Sequence, residues 1–314
     1  MRPTRVLAAD AAGIDEAADL LAAGGLVAFP TETVYGLGAD ARNGKAVAGI
    51  FAAKERPRFN PLIVHVPSRE VALGWADLPE PLLRLAYAFW PGPLSLVAPV
   101  RPGLSDLVTA GLPTVALRVP EHPLAQQMLQ RFGGPVAAPS ANPSGHVSPT
   151  LAAHVLAGLE GKIDAVLDGG ACPVGLESTI VGMAHDGPVL LRPGGLPAEA
   201  LEACLGAPLQ RYSLEAITAP GQLTRHYAPE AALRLNADAP REDELWIGFA
   251  DGPVPEGRGR SLSASGDLSE AAANLFAALR SLDRPGARIA VAAIPERGLG
   301  LAINDRLRRA AAGR

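Results

Sequence analysis

What this chain has little of excludes several classes of protein before any motif is read. Cysteine occurs only at Cys172 and Cys204, in no metal-type spacing, so neither a disulfide framework nor a zinc site is suggested. Aromatic residues make up 4% of the sequence, too few to favour base-stacking RNA binders. Lysine is confined to Lys45, Lys54 and Lys162 among 28 basic residues, a compositional bias that nevertheless singles out Lys54, two residues before Arg56. No apolar run is long enough to span a bilayer, and the opening MRPTRVLAADAAG lacks a signal-peptide core, so the expectation is a cytoplasmic protein. Also missing are a Ser-His-Asp order, a G-x-S-x-G elbow, a Walker-type Gly-x4-Gly-Lys and a Rossmann Gly-x-Gly-x-x-Gly.

What is present describes an ordinary globular chain of 314 residues, 48% hydrophobic and 19% charged. That length exceeds one comfortable core, which predicts a large domain and a smaller one. A net charge of −4 argues against broad electrostatic attachment to nucleic acid or anionic membrane.

Short apolar runs predict strands at Leu26–Phe29, Leu62–Val66, Leu94–Val100, Thr114–Val119, Pro135–Ala138, Ala165–Asp168, Thr179–Met183 and Val189–Leu191. Helical patterns fall between them at Ile14–Ala23, Lys45–Lys54, Pro81–Phe89, Pro123–Phe132, Leu151–Leu159 and Pro197–Leu205. This alternation implies an α/β domain with a mixed sheet. From about Gly206 the pattern weakens into a linker that carries Arg225-His226-Tyr227. Beyond it, strands at Leu245–Phe249 and Arg288–Ala292 and helices at Leu268–Leu282 and Ile303–Ala312 form a small second α/β unit. Residues 251–267, rich in Gly, Ser and Pro, read as a mobile loop.

Polar and cationic clusters recur at strand ends ahead of Pro/Gly turns, where loops on a rigid scaffold carry ligand contacts. FPTETVYGLG (29–38) crowds Thr31, Glu32, Thr33 and Tyr35 just before glycines, either as a capped turn or as a pocket wall. KERPRFNPLIVHV (54–66) places Lys54, Arg56, Arg58 and Asn60 in a proline-bounded loop suited to anion oxygens, or simply to a basic helix end. His65 interrupts the strand that follows. In TVALRVPEHP (114–123), Arg118 stands in an apolar strand and needs an internal carboxylate or an anionic ligand. PVAAPSANPSGHVSPT (135–150) offers Ser140 and Asn142, then Ser148 as the N-cap of a helix with Pro149 in its first position. GLESTIVG (175–182) and LRPGG (191–195) contribute Ser178, Thr179 and Arg192. The residues alone describe an α/β protein with a cation-lined cleft suited to a phosphorylated ligand.

Taken in order, FPTETVYGLGADA, K-x-RP-x-x-NPLIVHV, WPGPLSLV, VALRVPEHPLA, APSANPSG with SPT, G-x-ESTIV and LRPG resemble the L-threonylcarbamoyladenylate synthases built on the YrdC-like domain. PGQ-x-x-RHYAP and GLGLAINDRLRRA resemble the linker and extra domain of the family's long form, so the resemblance covers nearly the whole chain. It implies a twisted mixed-sheet YrdC-like catalytic domain over 1–206 and a linker over 207–240 acting as an active-site lid. A smaller Rossmann-like α/β domain would occupy 241–314. It also implies synthesis of threonylcarbamoyl-AMP and pyrophosphate from threonine, bicarbonate and ATP, for the t6A modification of tRNA.

On that resemblance Thr33, His65, Arg118, Ser140 and Ser178 would hold threonine, and Tyr35 would stand behind the pocket. Arg56, Asn60, Thr114, Asn142, Ser148, Thr150, Arg192 and Tyr227 would hold ATP, with Lys54 and Arg56 as the catalytic cations. Mg²⁺ would enter with ATP, and a downstream threonylcarbamoyl-transferase would take the product. Direct contact with tRNA stays open. The chain departs from the family pattern at Gln222, Leu223 and Thr224 and at Gly182. Two other readings compete: a nucleic-acid-binding module, and a carbamoyl-transfer domain of the hydrogenase-maturation type, whose zinc-finger and acylphosphatase-like segments are not visible.

Overall fold

The computed structural model describes residues 3–211, 227–252 and 254–312. The first half of the large domain runs β1 (Arg5–Leu7), α1 (Ala11–Ala22), β2 (Val27–Phe29), β3 (Gly36–Asp40), α2 (Gly44–Lys54), β4 (Ile63–His65), α3 (Arg69–Ala72), α4 (Glu80–Phe89) and β5 (Leu94–Pro99). It continues through α5 (Asp106–Thr109), β6 (Thr114–Arg118), α6 (Pro123–Phe132), β7 (Val136–Ala137), α7 (Ala152–Leu159), β8 (Ala165–Leu167), β9 (Thr179–Ala184), β10 (Gly187–Arg192), α8 (Ala198–Leu205) and β11 (Gln210–Arg211). The small domain comprises β12 (Ala232–Arg234), β13 (Leu245–Gly248), β14 (Gly259–Ser261), α9 (Leu268–Leu282), β15 (Arg288–Val291) and α10 (Leu299–Ala311). No helix among the described residues is long and apolar enough to cross a membrane.

The large sheet has eleven strands in the order β1-β8-β2-β3-β7-β4-β6-β5-β9-β10-β11, with parallel and antiparallel pairs, as a mixed α/β sheet requires. Strand alternation decides what each face carries. Leu62, Val64 and Val66 around β4, Val115 and Leu117 of β6, Leu94 and Leu96 of β5 and Val181 of β9 all enter the main core. Their neighbours Ile63, Ala116, Val97 and Ile180 form a separate, smaller cluster on the opposite face. His65 and Arg118 belong to that second face, two residues on from Ile63 and Ala116, and they sit opposite each other in the parallel β4–β6 register.

Local chemistry sets the helix limits. Asp10 Oδ1 accepts from Gly13 N at 2.8 Å to start α1. Asn43 caps α2, and Glu55 closes it in the left-handed conformation at φ 53°. In α6, His122 caps ahead of Pro123, and Gly133 at φ 70° ends the helix.

Gly36 and Gly38 of FPTETVYGLG lie in β3, antiparallel to β2 and opposite Phe29 and Val27. A Cβ on Gly38 would come within 3.0 Å of both Phe29 Cε1 and Val136 Cγ1, so crowding across the strands requires glycine there. Three expectations are corrected. Ser148 is not a helix cap, because α7 starts later, with Leu151 at its N-cap position, and the Ser148 hydroxyl is drawn to Glu177. Residues 251–267 are not wholly a loop, since Gly259–Ser261 pair with Trp246–Gly248 as an edge strand. The small sheet also begins before residue 241, because β12 pairs with β15. Of the 207–240 linker, 212–226 lie outside the described residues, and with them Gln222, Leu223, Thr224, Arg225 and His226.

The small sheet, β12-β15-β13-β14, is parallel throughout. Ile247, Leu262, Ile289 and Val291 pack with α9 and α10, and the same cluster takes in Val34, Val147, Leu176 and Tyr227. The two domains therefore share a core at their junction. Gly175 makes the approach possible: a Cβ there would lie 2.5 Å from Ala273 Cα, and its φ is +72°. We expect Gly175→Ala to lower unfolding stability by about 1–3 kcal/mol, read by denaturant titration. An unchanged midpoint would contradict so close a contact.

Candidate active site

One pocket opens on the second face of the large sheet, enclosing ≈ 530 Å³ of empty space that includes part of the solvent-open mouth. Its lining includes Thr31, Thr33, Arg56, His65, Arg118, Ser140, Glu177, Ser178, Arg192 and Tyr227. These residues come from the β2–β3 link, the loop after α2, β4, β6, the segment after β7, the entry to β9, the end of β10 and the junction with the small domain.

The β2–β3 link forms a wall. Thr31 Oγ1 donates to Val34 O at 2.7 Å and accepts from the amides of Thr33 and Val34, so Thr31 shapes the loop. Glu32 forms a buried ion pair with Arg118 at 2.5 Å, with side chains 5% and 4% exposed. Arg118 Nη1 also donates to Thr33 Oγ1 at 2.8 Å, and Nε to Gly92 O at 3.4 Å. Arg118 thus takes the internal carboxylate that its burial demands, while the guanidinium keeps two of its five N–H groups for the pocket. Tyr35 turns away from the pocket and donates to Gly170 O at 2.8 Å.

The remaining cations are held chiefly by carbonyls. Arg56 Nη2 donates to Pro61 O at 3.0 Å and Nε to Asn60 O at 3.3 Å. No ion pair to Arg56 is formed by any carboxylate among the described residues. Burial, with Arg192 nearby, brings its guanidinium down to about 10, so it stays charged at neutral pH. Arg192 Nη2 donates to Ser178 O at 2.8 Å and Ser178 Oγ at 3.2 Å, and the Ser178 hydroxyl meets Ser95 Oγ at 2.7 Å. The glycine of LRPGG that follows is obligatory: a Cβ on Gly194 would lie 2.3 Å from Glu177 O and 2.4 Å from Ser178 C.

His65 is buried, its ring edge-on to Phe29 at 5.9 Å, and its Nδ1 has no hydrogen-bond partner. Burial, reinforced by Arg118, pushes its imidazole down to about 3, so it is neutral.

Some expected residues stand elsewhere. Lys54 is buried behind the lining, its Nζ donating to the carbonyls of Ser140 and Asn142, and it ties α2 to that loop instead of facing the pocket. Its ammonium is driven well below the ordinary value by burial and then by Arg56. Thr114 stands opposite Pro99, at the far end of β6 from Arg118, and does not join the lining. Thr150 and Ser148 are buried nearby, Thr150 against His154 and Ser148 donating to Glu177. Asn60 is buried with neither amide atom hydrogen-bonded, and Asn142 Oδ1 is likewise unpartnered. Such groups are rare in folded proteins unless a ligand meets them.

Sequence reasoning passed over Glu177 and two small-domain arginines. Arg306 Nε donates to Glu177 Oε2 at 2.8 Å, and Arg280 donates to Val147 O and Ser148 O. Arg306 shares the buried face of α10 with Ile303, Leu307 and Ala310, so an arginine in an apolar helical stripe was the available signal. No cluster of three or more His, Cys, Asp or Glu that could hold a metal ion occurs among the described residues.

A family model described as "Telomere recombination" matches residues 19–194, and one described as "Threonylcarbamoyl-AMP synthase, C-terminal domain" matches 196–312. The chain is 43% identical to the threonylcarbamoyl-AMP synthase of Pyrococcus abyssi over 319 residues, covering 94% of this chain and 92% of that one. It is 43% identical to the Bacillus subtilis enzyme of the same name over 323 residues, covering 96% and 93%. The crystal structure of P. abyssi Sua5 complexed with L-threonine superimposes with a TM-score of 0.91 at 40% identity, covering 98% of each chain. By sequence over both domains and by fold, the chain belongs to the threonylcarbamoyl-AMP synthase family.

Proposed function

We propose that this chain, in the cytoplasm, makes threonylcarbamoyl-AMP from L-threonine, bicarbonate and ATP and releases pyrophosphate, supplying t6A modification of tRNA. One observation carries the reading: Thr33, His65, Arg118, Ser140 and Ser178 share a single pocket with Arg56, Arg192 and Tyr227. The first group suits an amino acid, since Arg118 offers a carboxylate its spare N–H groups and the hydroxyls offer hydrogen bonds. The second suits a nucleotide, since Arg56 and Arg192 are cations that backbone carbonyls orient. Asn60 and Asn142 would meet the nucleotide with their unpartnered amide atoms. Thr114, Ser148 and Thr150 would act on the same subsite from behind the lining.

The threonine nitrogen takes up the carbon of bicarbonate with loss of water. A carbamate oxygen then displaces pyrophosphate from the α-phosphorus. The protein contributes no nucleophile. It positions the reactants and offsets negative charge, which suffices for this class of transfer. Neutral His65 can accept a hydrogen bond or donate one, but it adds no charge. Lys54 acts by holding the Ser140–Asn142 segment and by its positive potential.

Glu177, which lines the pocket, and Glu32, behind the lining, are both bound to arginines, so the donor set fits an Mg²⁺ that would arrive on the triphosphate. Bound there, Mg²⁺ supplies charge neutralisation at the phosphates. The product passes to a threonylcarbamoyl-transferase, and the structure describes no surface that assigns tRNA binding.

Two outcomes test this. Pyrophosphate release should require both threonine and bicarbonate, and Arg56→Ala or Arg118→Ala should lower it by about 100-fold or more. Release that continues undiminished without threonine would sink the reading. The second concerns pH. His65 titrates at about 3 in the fold against an ordinary 6.5. The stability that its burial as a neutral ring contributes is therefore complete above pH 6.5 and is lost as pH falls toward 3. The loss runs at up to about 1.4 kcal/mol per pH unit. His65→Asn should flatten the stability–pH slope by that amount between pH 6 and 4, and parallel slopes would count against it.

A further inference from the structure

The small domain reaches the pocket wall through Arg306. Its side chain is fully buried, and it binds Glu177 on one side and Asp305 on the other, the latter at 2.6 Å through Nη1. Its guanidinium carbon also lies 5.1 Å from the centroid of the Tyr227 ring, which stacks on Phe276 at 5.6 Å. Glu177 and Tyr227 line the pocket, whereas Arg306 does not. They come from distant parts of the chain, and Arg306 touches both. An apolar side chain at 306 would fasten the domains equally well by burial, but it would leave Glu177 as an unpaired carboxylate in a wall beside Arg192.

We propose that Arg306 is a positioning residue for the nucleotide side of the site: it offsets the charge of Glu177 in the pocket wall and seats the Tyr227 ring, so that a polyphosphate meets no unpaired carboxylate there. The small domain thereby completes the binding pocket. The inference rests on the reading of the Arg192–Tyr227 side as the nucleotide side. The charge on Glu177 is permanent in any practical assay: burial alone would raise its carboxyl, but Arg306, Arg192 and the Ser148 hydroxyl outweigh burial and hold it at about 2.

The full-length chain should be tested as Arg306→Met, Arg306→Lys, Glu177→Gln and the Glu177→Gln/Arg306→Met double variant. Pyrophosphate release gives KM for ATP, KM for threonine and kcat, equilibrium titration gives ATP affinity without turnover, and a melting curve reports folding. Arg306→Met should raise KM and Kd for ATP about tenfold while KM for threonine stays within about twofold. The double variant should recover most of that loss, because no unpaired carboxylate remains. Arg306→Lys, which keeps the charge without the planar fork, should fall between. Unchanged ATP affinity in Arg306→Met would overturn the proposal. So would equal losses for ATP and threonine that track melting temperature, or a double variant no better than Arg306→Met. If Arg306→Met does not fold, the double variant and Arg306→Lys carry the comparison. Wild-type pyrophosphate release that ignores threonine would fail the broader reading alone, since ATP titration still judges the role of Arg306.

Discussion

Arg118 buries a guanidinium at the end of a central strand, and the carboxylate of Glu32 beside it offsets the cost of that burial. Glu32 sits in the link between β2 and β3, so the pair fastens that link across the end of β6. The second Glu32 oxygen accepts from Glu121 N at 3.1 Å, which binds the chain leaving β6 to the same wall. Thr33 is fixed as a consequence, its hydroxyl held by Arg118 and by Thr31 at 2.7 Å. Removing either member of the pair would leave a buried charge without a partner and loosen three segments at once.

The other buried cations follow a different rule. Arg56, Arg192 and Lys54 all rest on carbonyl oxygens, at Asn60 and Pro61, at Ser178, and at Ser140 and Asn142. A carbonyl orients a cation and satisfies its N–H groups while leaving its charge in place. Carboxylate-paired arginines therefore build the walls, and carbonyl-held cations supply the field. A pocket with that field can gather anions and stabilise charge that moves among phosphates, without a side chain that attacks.

Much of this was legible in the sequence because it is local. The run PLIVHV shows a strand whose odd member is His65, and VALRV shows one whose odd member is Arg118. Strand alternation turns both oddities to one face. The limits of α9 matched its apolar pattern at Leu268–Leu282. The misses are long-range. Ser148-Pro149 has the form of a helix start, but a carboxylate 29 positions away takes the hydroxyl. Nothing near residue 306 in the sequence names Glu177, which is 129 positions distant.

Tyr227 shows how folding of the small domain and the state of the site are joined. Its backbone lies at φ 62°, a conformation that costs a bulky residue about 1–3 kcal/mol and persists only where surroundings impose it. Those surroundings include the stacked ring of Phe276 in α9 and the guanidinium of Arg306 in α10, the large-domain side chains Val34, Val147 and Leu176, and Ala228 N anchored to Gly145 O at 2.8 Å. Docking of the small domain thus contributes to holding Tyr227 in place. The Arg118–Thr33 wall depends on the large sheet and the Arg192–Tyr227 wall on the junction with the small domain, so a single pocket has walls of different origin.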